Sequence, residues 1–181
     1  MAVSFANKVR RYAKLIVLIS GREELPARWD TPNGQRPANP HLGGFRIITP
    51  LHARVQRVIK GSYTLPDIYF ASVGGTVGQD CYSVSDSLYV GNSDGTPSGD
   101  YLCLTAVDDY LKALPIPGDA RYRYFSSGYS YPISTAGTIT IGPERDIMGN
   151  KYDDPPRTIT LDEALREIAA LLAAPSMTPT R

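Results

Sequence analysis

Along most of the chain apolar and polar residues alternate with a period of two, and only near the two ends does the spacing lengthen to that of a helix. The first run, Leu15 to Ala27, faces a second, Phe45 to Ile59, as one long β-hairpin. In the second strand Leu51, Ala53, Val55 and Ile59 fall on one side, with His52, Arg54 and Gln56 on the other. Arg57 interrupts the inward set. A bulge there turns it outward and brings Val58 in, the device by which a long strand coils around a small barrel. The connection from Arg28 to Gly44 holds Pro32, Pro37 and Pro40 with Asn33-Gly34 and Gly43-Gly44, so it is an irregular excursion and not a continued ladder.

Beyond Lys60-Gly61 the alternation resumes over Asp67 to Val73, with Ile68 and Phe70 opposite Tyr69 and Ala71, and Gly74-Gly75 predicts a tight turn. Cys81 to Val90 reads as a fourth strand and Asp100 to Val107 as a fifth, separated by the polar loop from Gly91 to Gly99. After an excursion from Asp108 to Arg121, a last meander is predicted over Tyr122 to Phe125, Tyr129 to Ser134 and Thr138 to Ile141. Thr160-Leu161-Asp162-Glu163 is a capping box, and Leu161, Leu165, Ile168 and Leu172 make the helical stripe that follows, ending at Pro175. At the other end Ser4 caps a short helix with Phe5, Val9 and Tyr12 on one face. The pattern predicts a mainly β chain in a single domain over 1–181: a barrel over about 15–142, a helix over about 160–174 and a tail over 175–181.

Composition narrows the partners. With 181 residues one core is enough, burying roughly 70% of the surface that the unfolded chain exposes. Nineteen basic against eighteen acidic residues leave a net charge of +1, which supplies no field to draw in a phosphate backbone, so nucleic acid is not expected as a partner. Twelve tyrosines against four phenylalanines suit strands and surface rings. The apolar run Leu15 to Ile19 is far short of the roughly 20 residues that cross a bilayer, and it is also too short for the core of a signal peptide. No membrane span is expected, and any export signal would precede Met1.

Several short motifs occur in a shared order: Lys14-Leu15-Ile16-Val17, Trp29-Asp30-Thr31-Pro32-Asn33-Gly34, Arg54 through Gly61, Gly74-Gly75, Gly99-Asp100-Tyr101-Leu102-Cys103-Leu104, and Gly128-Tyr129. In this order the chain resembles a family of uncharacterised exported bacterial domains, similar in outline to the OB-fold barrel of the tissue inhibitors of metalloproteinases, over about Val9 to Gly142. The resemblance implies a small OB-like, Greek-key barrel with extra strands and flanking helices, in an extracellular or periplasmic setting. It does not carry protease inhibition across, because those inhibitors act through an amino-terminal cysteine and this chain begins Met1-Ala2-Val3.

Candidate chemistry is sparse. Cys81 and Cys103, 22 residues apart, are either a disulfide or free apolar thiols, and a bridge requires Cα atoms within about 7 Å. With His41 and His52 they match no zinc spacing, and no metal or other cofactor is expected. His41, in a proline-rich loop, and His52, on the outward side of a strand, have no nucleophile motif nearby. Asp108-Asp109 and Asp153-Asp154 lack the alternating ligands of a calcium loop, and Asn92-Ser93-Asp94-Gly95 is closer to an oxygen-rich loop but is also what a tight turn selects. The best candidate surface is aromatic: Tyr122, Tyr124, Phe125, Tyr129 and Tyr131, with Arg121 and Arg123 interleaved. Such rings serve either as cross-strand packing or as a stacking face for a glycan, peptide or protein. Trp29 is a second candidate anchor, or it packs on the barrel rim. The expected function is that of a non-enzymatic exported binding or accessory domain. The alternative is a self-assembling structural subunit of an extracellular filament, surface layer or phage particle.

Overall fold

The computed structural model describes residues 4–40, 44–82, 99–106, 124–142 and 156–174. Within them the chain is mainly β, built of antiparallel sheets with a short amino-terminal helix and a longer carboxy-terminal one. The elements are α1 (Phe5–Asn7), a π-helical turn (Lys8–Tyr12), β1 (Leu15–Glu24), β2 (Arg28–Trp29), β3 (Ile47–Lys60), β4 (Asp67–Val73), β5 (Gly75–Val77), β6 (Asp80–Tyr82), β7 (Tyr101–Ala106), β8 (Tyr124–Pro132), β9 (Thr138–Ile141), β10 (Arg157–Thr160) and α2 (Leu161–Ala173). The large sheet runs β1-β7-β8-β4-β3-β2, and β1 also pairs with β3. Its neighbouring strands are antiparallel except β4 and β8, which run parallel through Tyr69↔Tyr124 and Phe70↔Phe125. β5 pairs with β6, and β9 with β10, as two small ribbons.

The long hairpin forms as β1 against β3, and its register slips between Ile16 and Val17, between Leu18 and Ile19, and between Ser20 and Glu23. The expected bulge lies among these slips, with Arg57 exposed and Val58 turned toward the core. Ile59 corrects the expected face. It packs with the opposite cluster, beside the helices, because the extra residue in β3 reverses the alternation after Gln56.

β1 carries an unbroken apolar run because it is buried on both faces. One face, Leu15, Val17 and Ile19, joins Leu51, Ala53, Ile68, Phe70, Tyr101 and Cys103 in a cluster between the strands. The other, led by Ile16, joins Leu102, Leu104, Tyr131, Ile139 and Ile141 under Phe5, Val9, Ala164 and Ile168 of the helices. Each fully buried valine, leucine, isoleucine or phenylalanine among them contributes about 1.5–3 kcal/mol.

At the amino end the chain departs from α-helical spacing. Ser4 caps α1, its hydroxyl accepting from the Asn7 amide, but Lys8 to Tyr12 winds as a π turn. The wider turn puts Phe5, Val9 and Ala13 inside, buries Lys8 and leaves Tyr12 exposed, so Tyr12 is not on the packed face as expected. Three further expectations are corrected. Gly74-Gly75 does not form a turn; the chain continues into β5 and turns at Gly78-Gln79 before β6. The segments expected at Tyr122 to Phe125 and Tyr129 to Ser134 join in one strand, β8, and β9 pairs with β10 instead of continuing a meander. β10 is absent from the pattern reading because its four residues merge with the capping box.

Candidate binding face

Among the described residues the β3–β4 ladder sets up a surface where polar and aromatic groups converge. Seven consecutive pairs, from Ile48↔Val73 to Arg54↔Asp67, keep strict register, so alternate pairs share a face. Leu51↔Phe70 and Ala53↔Ile68 are buried inward. His52↔Tyr69 and Arg54↔Asp67 therefore stand on the outer face. Glu23 of β1 lies opposite His52, and Tyr124 of β8 lies beside Tyr69. Four adjacent strands thus supply one row of register positions: Glu23, His52, Tyr69 and Tyr124.

His52 is the centre of this row. Its Nε2 lies 2.9 Å from Asp67 Oδ1 and its Nδ1 3.5 Å from Glu23 Oε1, so a carboxylate faces each ring nitrogen and fixes the ring plane. The imidazole leans on the Tyr69 ring, centroids 4.9 Å apart and planes 35° apart. Asp67 is held from below, where the Tyr63 hydroxyl donates to its backbone carbonyl at 2.5 Å. Beside the row Gln56 Nε2 donates to Ser20 Oγ at 2.5 Å. Among the described residues no serine, threonine or cysteine is hydrogen-bonded to His52, and no group of three or more histidines, cysteines and acids is arranged to hold a metal ion. The arrangement presents a tilted ring pair with carboxylates and the exposed Arg54 at its margins, a surface that can stack on a ligand and exchange hydrogen bonds with it.

The predicted aromatic surface is only partly brought to this face. Tyr124 sits at its edge by register, and Tyr129 lies further along β8, paired with Leu104. Tyr131 is not a surface residue. It is buried in the helix-side core, edge-on to Phe5 with ring centroids 5.8 Å apart, and its hydroxyl lies 3.4 Å from Lys8 Nζ. The parity of β8 turns it toward the helices, where its ring fills the space under α1. Trp29 is likewise no exposed anchor. It pairs with Ile47 at the sheet margin and is buried, while its backbone amide donates to the Gly34 carbonyl across the turn that Pro32 and Asn33 occupy. Tyr122, Arg121 and Arg123 lie outside the described residues, as do His41, Asp108-Asp109, Asp153-Asp154 and Asn92 to Gly95.

Cys81 and Cys103 are both free. Cys103 is buried in β7, facing the cluster between the strands, and Cys81 is exposed on the separate β5–β6 ribbon, so of the two alternatives the structure has the free thiols. Burial pushes the Cys103 thiol up to about 12, and the charge of Arg22 opposes that only in part. Arg22 itself lies over the Tyr101 ring, its guanidinium carbon 5.3 Å from the centroid. A thiol so held stays protonated and is no nucleophile.

Alternation in the sequence marks His52 and Tyr69 as outward positions but does not bring them together. Only register places them side by side, and the signal for that register is the matched alternation of the two strands. Compared with protein-family models, with curated proteins and with solved structures, the chain matches none.

Proposed function

We propose that the chain is a non-enzymatic binding domain, an OB-like barrel that recognises a peptide, protein or glycan on the outer face of β3 and β4. The observation that carries this reading is the row Glu23–His52–Tyr69, continued in register to Tyr124, across four neighbouring strands. The barrel is supported by the order of pairing, since β1-β3-β4-β8-β7 leads back to β1 with one parallel step between β4 and β8. A shared cluster of residues from β1, β3, β4 and β7 supports it further. Barrels of this kind bind ligands over their second and third strands, the positions that β3 and β4 occupy once the short β2 is counted within a connection.

The chemistry favours binding over turnover. His52 is clamped between two carboxylates instead of resting against a hydroxyl or thiol, which suits a fixed platform better than a base activating a nucleophile. Rings supply contact area at low entropic cost, and Asp67, Glu23 and Arg54 supply acceptors and donors at its rim. The near-neutral net charge argues against a nucleic-acid strand as the ligand.

Peptide and glycan arrays probed with the wild-type chain and with Tyr69→Ala test this reading. The wild type is expected to retain a restricted set of ligands that Tyr69→Ala loses, with the far-ultraviolet spectrum unchanged. Retention of nothing by the wild type, or equal retention by the variant, would contradict it.

A further inference from the structure

Helix α2 is more apolar than its covered face requires. Ala164 and Ile168 are buried against the sheet and Leu171 packs with the same cluster, so one stripe is fully used. Leu165, Ala169 and Leu172, at spacings of four and three, form a second stripe on the neighbouring side. In that stripe Leu165 is half-buried, and Ala169 and Leu172 are exposed. Leu165 and Ala169 line a shallow depression of about 620 Å³ together with Arg57, Asp162 and Arg166, and Leu172 keeps 38% of its surface exposed.

Two cations flank this strip. Arg57 is there because the bulge in β3 turns it outward, and among the described residues its side chain makes no ion pair or hydrogen bond. Arg166 stands on the helix itself; its Nε donates to the Asp162 carbonyl at 3.4 Å, and its charge acts on the Glu163 carboxylate. Asp162, in the first turn of α2, is the one carboxylate lining the depression. The strip is therefore apolar along its length, with the Arg57 guanidinium on one flank and Arg166, beside Asp162 and Glu163, on the other.

We propose that this strip docks an acidic amphipathic helix of a partner protein. Spacings of four and three over two turns are those that a second helix meets with its own apolar stripe, and Ala169 between two leucines allows the axes to approach closely. The two guanidinium groups then receive carboxylates at the edge of the seam, a match that a helix with basic flanks would lose to repulsion. Apart from Arg57, which is on β3, the strip belongs to α2 and shares no residue with the row Glu23–His52–Tyr69, so it would bring a second partner to the domain without competing for the first.

Two synthetic helical peptides with the same leucine stripe, one flanked by glutamates and one by lysines, test the proposal by amide chemical-shift titration. The acidic peptide is expected to shift Arg57, Leu165, Arg166, Ala169 and Leu172 saturably, with the basic peptide roughly tenfold weaker. The double variant Arg57→Glu, Arg166→Glu, altered only at exposed positions, is expected to reverse that preference. Tyr69→Ala is expected to leave peptide binding unchanged, which separates this surface from the β3–β4 face. Equal response to both peptides, response to neither, or shifts confined to other residues would overturn it. So would shifts at the strip that follow protein concentration alone, since these would mean that a second copy of the chain is the occupant.

Discussion

Gly61 ties the end of the long hairpin to the start of the chain. Its φ is +85°, and a Cβ there would stand 2.5 Å from the Lys14 carbonyl oxygen and 3.3 Å from Leu15 Cδ1. Beside it Lys60 Nζ donates to the Val9 carbonyl at 2.6 Å, closing the π turn. Gly61→Ala is expected to destabilise by about 1–3 kcal/mol in denaturant unfolding, through backbone strain and the close contact together. Lys8 makes a second prediction at this scale. Burial lowers its ammonium from the usual 10.5 to about 7. Between those values the unfolded chain holds a proton that the folded chain gives up, so this group makes stability rise with pH from about 7 toward 10.5. The Cys103 thiol, raised from 9.0 to about 12, acts in the opposite sense above pH 9, so the clean comparison lies between pH 7 and 9. In urea unfolding across that interval Lys8→Met is expected to show a smaller rise in stability than the wild type, and an equal rise would contradict the assignment. Helical spacing in the sequence puts Tyr12 inside and gives no sign of Lys8, because it assumes 3.6 residues per turn where the backbone winds with a wider turn.

Among the elements α2 is the most legible, since its start is written in four residues. The Thr160 hydroxyl accepts from the Glu163 amide, and the Glu163 carboxylate accepts from the Thr160 amide at 2.8 Å. Thr160→Ala is expected to cost about 1 kcal/mol, seen as an earlier denaturant midpoint with an unchanged slope. The bulge at Arg57 is legible for a similar reason: a charged residue out of phase in a long alternating strand would be buried unless the strand slips by one position. The turn after β4 is not legible. A pair of glycines usually marks a reversal, but here Gly75 lies within a strand at φ +137°, a conformation open to glycine, and its missing side chain lets Thr49 and Ala27 approach. β10 is hidden because Arg157 to Thr160 is too short to show alternation, and its pairing with β9 is a contact that no local pattern encodes.

For the molecule as a whole, the mainly β class with a helix at each end can be read from periodicity, whereas the proposed recognition face cannot. A face is made by register between strands far apart in sequence, and His52 meets Tyr69 and Glu23 only after β3 has been fixed against both β4 and β1. The aromatic residues of β8 look more promising in the sequence because they are contiguous, yet Tyr131 serves the core. The central claim is that the domain binds its ligand through the outer face of β3 and β4, and its most direct test is the dissociation constant of an array-selected ligand. Tyr69→Ala is expected to weaken binding of that ligand by roughly tenfold or more, the loss of about 1.4 kcal/mol or more, while Leu172→Ser, on the other surface, leaves it unchanged. Equal affinity for the wild type and Tyr69→Ala, both folded to the same midpoint, would contradict it.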